Sequence, residues 1–262
     1  MDLSLIGKNA LVGGSSQGIG KAAAIELALL GANVILLARN EQKLQETLKD
    51  LDTSKGQSHS YIQADFSNPV ELKSTIERYF KNHYPIHILV NNTGGPAAGP
   101  VSSANIDEFL SAFNNHLVCN HILAQTVIPS MKAEKYGRII NVISTSVKQP
   151  IPGLGVSNTI RGAVANWSKT LAGELASFGI TVNNVLPGST NTVRLQAIFE
   201  NKAQKTGKSV EEIKNEMIAE VPAGRIAEAN EIANAIAFLA SPAASYINGI
   251  NVPVDGGRTA CL

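Results

Sequence analysis

The chain has 262 residues, a formal net charge of +1, 44% hydrophobic residues and 16% charged residues. This composition supports a well-filled core and excludes a disordered chain. The near-neutral charge gives no sign of a nucleic-acid or anionic-membrane surface, and no apolar stretch reaches the roughly 18 to 20 residues of a membrane span. The first residues lack the pattern of a signal peptide. We therefore expect neither nucleic acid nor membrane as a partner.

The cysteine content favours a reducing compartment. Cys119 and Cys261 are the two cysteines of the chain, and they form neither a metal-ligand cluster nor a disulfide framework. We expect no metal site and a cytoplasmic location.

Short apolar runs alternate with amphipathic helical patterns from end to end. The predicted strands are Asn9–Val12, Asn33–Ala38, Ser58–Gln63, Ile86–Val90, Arg138–Ile143, Thr181–Val185 and Asn251–Val254. Their Val, Ile and Leu content without strict alternation is typical of strands buried on both faces. The predicted helices lie near 18–30, 41–51, 69–82, 105–132, 156–178 and 229–240. This alternation predicts an α/β fold, with a doubly wound parallel seven-stranded sheet and helices on both faces, in a single domain over 1–262.

One insertion interrupts the alternation at residues 191–225, which are rich in Lys, Glu, Asn and Gln. Ser209 and Glu212 have the spacing of a capping box and predict a helix start. Ligands of doubly wound folds bind beyond the carboxyl ends of the strands, so a helical insertion leaving such an end is placed to act as a substrate lid. A solvated surface excursion is the alternative.

A glycine cluster follows the first predicted strand. Gly14, Gly18 and Gly20 lie where the chain must turn sharply into a helix and where backbone must approach a ligand closely. The helix that follows directs its first amide groups at that point, which favours an anion such as a dinucleotide diphosphate.

The spacing G-x-x-x-G-x-G resembles that of the short-chain dehydrogenase/reductase family, and the resemblance covers nearly the whole chain. "NNTG" (Asn91–Gly94), "GRIINVIS" ending at Ser144 and "PGSTNT" (Pro187–Thr192) resemble further family motifs. The segment from "RIAEANEIANAIAFLA" to "NVPVDGG" is similar to the same region of 3-oxoacyl-[acyl-carrier-protein] reductases. Gly13 departs from the family pattern, which has threonine there.

This resemblance implies a Rossmann-type domain and assembly as a homodimer or homotetramer through the helices near 105–132 and 156–178. The second helix carries apolar residues on more than one face, and the surplus suggests a subunit interface. These residues are Ile160, Val164, Trp167, Leu171 and Leu175.

The end of the second strand indicates the cofactor. Ala38 occupies the position where an acidic residue would favour NAD(H), and Arg39 follows it. A planar cation pairs well with a 2′-phosphate, so we predict NADP(H) rather than NAD(H). With the resemblance, the expected cofactor-binding residues are Gly14, Ser15, Ser16, Gln17, Gly18, Ile19, Gly20, Arg39, Asp65, Phe66, Asn92, Gly94, Arg161, Pro187, Gly188, Thr190 and Thr192.

The expected catalytic positions depart from the family. The resemblance implies a catalytic serine, at Ser144, and a tyrosine with a lysine four residues later, where this chain has Ser157 and Arg161. The family's asparagine corresponds to His116, although a one-residue bulge could restore Asn115. Serine is a far weaker acid than a phenol, and an arginine, with an ordinary pKa above about 12, does not relay a proton.

Other groups could replace the missing acid. His116 is one candidate, and a buried histidine satisfied by a backbone carbonyl is its alternative role; Lys148 is a second candidate, unless it is simply exposed. Tyr84, Tyr136 and Tyr246 fall outside the expected cleft, and we predict structural roles for them.

Two functional hypotheses follow. The first is an NADP(H)-dependent oxidoreductase with an atypical site that acts on a ketone or secondary alcohol, a small-molecule or acyl-thioester substrate. The second is an NADP(H)-binding protein that is catalytically weak or inactive and serves as a sensor or partner subunit.

Overall fold

The computed structural model describes residues 1–81 and 85–261. The strands form one parallel sheet in the order β3-β2-β1-β4-β5-β6-β7, which confirms the predicted doubly wound fold. Their bounds are β1 Asn9–Gly13, β2 Asn33–Ala38, β3 Ser60–Gln63, β4 Ile88–Asn91, β5 Gly137–Val142, β6 Ile180–Pro187 and β7 Asn251–Val254.

Two strands, β3 and β4, begin later than predicted. In each case a histidine ring just before the strand accepts a hydrogen bond from the backbone of the neighbouring strand. The ring of His59 accepts from the amide of Val34 at 3.1 Å, just before β3. The ring of His87 accepts from the amide of Asn9 at 3.0 Å, just before β4. Regular pairing therefore starts only after each histidine.

The helices lie between the strands as the sequence predicts. Their bounds are α1 Gly18–Leu29, α2 Glu41–Lys49, α3 Pro69–Phe80, α4 Ile106–Phe113, α5 Cys119–Glu134, α6 Gly155–Leu175, α7 Val193–Thr206, α8 Val210–Ala219 and α9 Ala229–Ala240. The predicted helix 105–132 is divided, because a π-helical turn over Asn114–Val118 separates α4 from α5. Such turns are rare and occur mostly at functional sites.

Apolar side chains fill both faces of the sheet. One buried cluster joins Leu27 of α1 and Ile236 of α9 to β1 and β2. A second joins Leu72 of α3, Leu123 of α5 and Leu175 of α6 to the opposite face. No helix of the described residues is long and apolar enough to cross a membrane.

Helix α6 does not present the outward-facing apolar residues that suggested a subunit interface. Ile160, Val164, Leu171 and Leu175 are buried within the single chain, and only Trp167 is half-exposed. These side chains cover the chain's own core. The outward apolar stripe lies instead on α4, where Ile106, Leu110 and Phe113 are exposed one turn apart.

The predicted insertion consists of two helices, α7 and α8 (residues 193–219), here called the lid; that it covers a substrate stays a prediction. Ser209 and Glu212 form the expected capping box at the start of α8. Leu195, Phe199 and Ile213 give the lid a small core of its own.

Four asparagines form an amide ladder across four neighbouring strands. Asn91, Asn141, Asn184 and Asn251 occupy the same register on β4, β5, β6 and β7. Each Nδ2 donates to the next Oδ1, at 2.8 Å from Asn91, 3.0 Å from Asn141 and 2.8 Å from Asn184. Because a slip of one strand would break these buried bonds, the ladder fixes the register.

Replacing Asn141 tests the ladder. Asn141→Leu removes the acceptor of Asn91 and the donor to Asn184 and to the hydroxyl of Ser168. Leaving such buried groups unpaired lowers the free energy of unfolding by about 3 kcal/mol. Urea unfolding followed by circular dichroism measures the loss. The exposed Asn166→Leu on α6 is the control, and an equal loss in both variants would contradict a role for the ladder.

Candidate functional site

The turn after β1 (residues 13–20, here the glycine turn) is closed by backbone contacts that exclude side chains. Gly14 has φ +59°. A Cβ on Gly20 would lie 2.2 Å from the carbonyl oxygen of Gly14. The side-chain Nδ2 of Asn92 donates to the backbone carbonyls of Gly13 and Gly14, at 3.2 and 3.4 Å. The glycines and the side chain of Asn92 therefore fix the backbone conformation of the glycine turn together.

The departure at Gly13 has a packing explanation. A Cβ there would lie 3.0 Å from the carbonyl oxygen of Asn92 and 3.3 Å from the ring of Phe66. The Phe66 ring fills space that a side chain at position 13 would need.

The first turn of α1 faces this site without a side-chain cap. Gln17 precedes the helix and its side chain makes no capping hydrogen bond, so the leading amides remain available to an anion. Thr192 lies opposite, and a Cβ on Gly18 would be 3.3 Å from its methyl group. The Pro187–Thr192 segment thus lies against the glycine turn, and this arrangement fits a dinucleotide diphosphate.

Two cations lie at the end of β2. Arg39 is exposed, and its guanidinium makes no ion pair or hydrogen bond within 1–81 and 85–261. Lys43 donates to Oε1 of Gln17 at 3.0 Å and so lies beside the glycine turn. Sequence reasoning missed Lys43; the signal available was its place in the first turn of α2, four residues after Arg39.

Three predicted cofactor residues direct their side chains into the protein. The hydroxyl of Ser15 is fully buried and accepts from the amide of Leu37 at 2.9 Å. The ring of Phe66 packs in the second core cluster. Thr190 is buried and donates to the carbonyl of Gly188 at 3.0 Å. The side chains of these three residues therefore have partners within the fold, and cofactor binding at these positions stays a prediction.

The other predicted cofactor positions surround the same edge of the sheet. Asp65 is half-buried and accepts from the amide of Ser67, while Gly188 donates to the carbonyl of Val254. Gly94 is exposed, and a Cβ there would meet no atom within 4 Å. Half-buried positions that complete the set are Ser16, Ile19 and Pro187.

Ser144 and Arg161 meet at the end of β5. Ser144 is half-buried and accepts from the amide of Ser146 at 3.1 Å, which starts a short helical turn. Arg161 donates through Nη1 to the carbonyl of Val142 at 3.1 Å, two residues before Ser144. Ser157 lies one turn before Arg161 on α6, half-buried, and its hydroxyl has no hydrogen-bond partner in the part of the chain that the structure describes.

The buried residue of the π-helical turn is His116, which is 1% exposed, while Asn115 is half-buried. The bulge therefore does not restore asparagine at the inward position. Nδ1 of His116 has no hydrogen-bond partner. Burial first, and then the charges of Arg161 and Arg194, lower the pKa of His116 to about 2. The imidazole is neutral at neutral pH, which disfavours His116 as the replacement for the missing acid, and that role stays a hypothesis.

Arg194 is a site residue that the sequence reasoning missed. It lies in the first turn of the lid helix α7, exposed, and its Nη2 donates to the carbonyl of Pro96 in the loop after β4. Burial, and next the charge of Arg194, lower the pKa of Arg161 to about 10, so Arg161 is still a cation at neutral pH. The signal available was a cation two residues after the "PGSTNT" motif.

The remaining candidates lie apart from this group or are held elsewhere. Lys148 is half-buried, and its carbonyl accepts from the thiol of Cys261. Tyr136 donates to the carbonyl of Ala240 at 3.0 Å, which supports a structural role. Tyr246 is fully exposed, and Tyr84 lies outside the described residues.

A cleft of about 300 Å³ lies beside the Ser144 turn, between Thr145–Pro152 and the end of the lid. An ion pair of Arg258 with Glu220, at 2.6 Å, joins the C-terminal segment to the lid at this cleft. Ser144, Ser157 and Arg161 do not line it. Thr145, which follows Ser144 in the chain, does line it, so the cleft lies beside the Ser144 position.

Comparison with known proteins agrees with this geometry. Residues 14–259 match the family described as Enoyl-(Acyl carrier protein) reductase, a group of short-chain dehydrogenases/reductases. The chain belongs to the short-chain dehydrogenase/reductase family.

Relatives of this family match over their full length. A 3-oxoacyl-[acyl-carrier-protein] reductase of Vibrio cholerae is 35% identical over 97% of this chain and 98% of its own. A tropinone reductase homologue of Arabidopsis thaliana is 34% identical over 98% of this chain and 91% of its own. The L-sorbose reductase of Gluconobacter frateurii, solved with NADPH and L-sorbose, superposes with a TM-score of 0.93 at 30% identity over 100% of both chains.

The depressed pKa of His116 predicts a pH-dependent stability. Between about pH 6.5 and 4.5 the unfolded chain binds a proton at His116 that the folded chain excludes, so the free energy of unfolding falls as the pH falls. His116→Asn should remove up to about 1.4 kcal/mol per pH unit of that slope. Urea unfolding at a series of pH values measures it. The neighbouring change Asn115→Ala is the control and should keep the slope, whereas an unchanged slope in His116→Asn would show that His116 titrates normally.

Proposed function

We propose that this chain is an NADP(H)-dependent oxidoreductase that acts on a ketone or secondary alcohol with an atypical active site. The observation that supports it most is the glycine turn interlocked with Asn92 beneath an uncapped α1, which fits a dinucleotide diphosphate. The relatives named as reductases, and the neighbour solved with NADPH, favour the same cofactor.

The residues that would bind the cofactor form separate groups along the edge of the sheet. Arg39 and Lys43 would bind the 2′-phosphate at β2, and the amides that begin α1 would bind the diphosphate. Asn92 and Thr192 would enclose it from the two sides. When bound, the cofactor supplies or accepts a hydride.

Charge stabilisation is the chemistry that this chain's own residues offer to a carbonyl oxygen. The Ser144 hydroxyl can donate a hydrogen bond to that oxygen, and the buried cation of Arg161 favours negative charge near it. Ser157 is too short to reach where a tyrosine hydroxyl would act, and His116 is neutral. The proton therefore comes from water, and loss of a positioned acid costs roughly 10² to 10⁴ in rate.

The second candidate is an NADP(H)-binding protein without appreciable turnover, a sensor or partner subunit. The observation that favours it is the absence of a tyrosine and lysine at positions 157 and 161 together with the low pKa of His116. Oxidation of NADPH against a panel of ketones and 3-oxoacyl thioesters separates the two candidates.

Assembly and location stay predictions. A homodimer or homotetramer is expected from the family, and the exposed stripe of α4 is the apolar face available to it. A cytoplasmic location rests on the composition alone.

Arg39 should determine the choice of cofactor. Arg39→Ala removes a cation from the expected 2′-phosphate site and should weaken NADPH binding roughly 10- to 100-fold, with NADH binding unchanged. Isothermal titration of both cofactors measures this. Lys49→Ala, at the far end of α2, is the control for general charge. Equal affinity of the unmodified protein for NADPH and NADH would reject the assignment.

Restoring the family's acid should raise turnover. The double change Ser157→Tyr with Arg161→Lys places a phenol and an ammonium one helical turn apart, and we expect at least a tenfold gain in kcat on a 1,2-diketone. Ser157→Phe with Arg161→Lys is the matched control, since it has the same ring without the hydroxyl. If both double variants have the same kcat, a missing acid does not limit this site.

A further inference from the structure

Two guanidinium groups converge on the loop after β4 without a counter-ion. A Cβ on Gly95 would lie 3.5 Å from Nη2 of Arg194 and 3.9 Å from Nη2 of Arg161. Neither arginine pairs with a carboxylate anywhere in 1–81 or 85–261. Among the described residues, their only hydrogen bonds go to the backbone carbonyls of Val142 and Pro96.

Two polar groups beside this loop, those of Arg161 and His116, are buried with one nitrogen each unpaired among the described residues. Arg161 is 7% exposed and its Nε has no partner, while His116, 1% exposed, leaves Nδ1 unpaired. Proteins seldom leave buried polar groups without partners, and a buried charge without a counter-ion is unfavourable. Such a cluster is satisfied when a ligand brings the missing oxygen atoms.

The space between the arginines is kept open by glycine. No side chain projects at Gly94 or Gly95, and the position that a Cβ of Gly95 would take is the point that both guanidinium groups approach. Arg161 extends to this point from α6, and Arg194 extends to it from the lid helix α7. An anion here would contact the lid and the fixed part of the site together.

The expected cofactor does not supply this anion. Its phosphates belong at the glycine turn and at Arg39, which lie at β1 and β2. Arg161 is held at the end of β5, two positions along the sheet from β1, on the side opposite to β2. Arg161 and Gly94 are also expected cofactor contacts, but the part of the cofactor beyond its phosphates carries no anionic group there, so we assign the anion to the substrate.

We propose that the substrate of this site is an anionic carbonyl compound or alcohol, whose carboxylate or phosphate is bound between Arg161 and Arg194 beside Gly95. This inference rests on the proposed function, since it assumes that the site takes a carbonyl or alcohol substrate. Guanidinium groups bind both kinds of oxyanion through paired hydrogen bonds. Neutral substrates of the same shape leave both cations uncompensated and bind weakly.

Pairs of related ligands, one anionic and one neutral, test the proposal by binding, without turnover. Isothermal titration of the full chain compares acetoacetate with methyl acetoacetate and dihydroxyacetone phosphate with dihydroxyacetone. We expect at least one anion to bind tenfold or more tightly than its neutral partner. The pair that shows the larger ratio identifies carboxylate or phosphate as the group.

Substitution of each arginine tests whether Arg161 and Arg194 cause the preference for the anionic ligand. Arg194→Gln and Arg161→Gln should each weaken binding of the anion roughly 10- to 100-fold and leave the neutral partner unchanged. Lys205→Gln, which removes an exposed cation from the same lid helix as Arg194, is the matched control and should change neither. Arg194 is exposed, so its replacement does not endanger the fold.

The proposal is overturned if neither anion binds more tightly than its neutral partner, including the case in which none of the four binds. It is also overturned if Lys205→Gln weakens the anion as much as Arg194→Gln does. Titration of NADPH on the same samples keeps the proposed function separate. NADPH binding without anion preference rejects only this inference, whereas anion preference without NADPH binding rejects the proposed function.

Discussion

The amide ladder of Asn91, Asn141, Asn184 and Asn251 ties four parallel strands together at one level, and the loops of the site leave the sheet just beyond it. Asn92 follows the first of these residues and holds the glycine turn. The carbonyl of Val142, which anchors Arg161, follows the second. The Pro187–Thr192 segment leaves the strand of the third. Because buried amides are costly to leave unpaired, the register and the spacing of these loops are fixed together.

Sheet order then separates two regions of positive charge. Arg39 and Lys43 lie at β2, next to the uncapped start of α1, where a dinucleotide's phosphates are favoured. Arg161 and Arg194 lie beyond β5, around the open space at Gly95. The strand order places β1 and β4 between these regions, so one anion cannot satisfy both.

In the proposed function, Ser157 and Arg161 in place of a tyrosine and lysine give a site that holds charge rather than one that transfers protons. The buried guanidinium of Arg161 remains a cation, and burial, followed by the charge of Arg161, keeps the imidazole of His116 neutral. Neither group then moves a proton at neutral pH, yet both can stabilise negative charge on a bound oxygen. The proposed specificity for an anion and the proposed slow proton transfer thus have one physical origin.

The sequence by itself determined the α/β alternation and the glycine turn, because these follow from local periodicity and from residues a few positions apart. The family resemblance added the cation at Arg39 and the serine at position 157 in place of a tyrosine. Only the tertiary structure decided that Ser15 and Phe66 point inward, that His116 rather than Asn115 is the buried residue, and that Arg194 meets Arg161. Each of these depends on contacts between elements distant in the chain. Periodicity gives a helix its buried face, but it does not say which group from another element will be packed against that face.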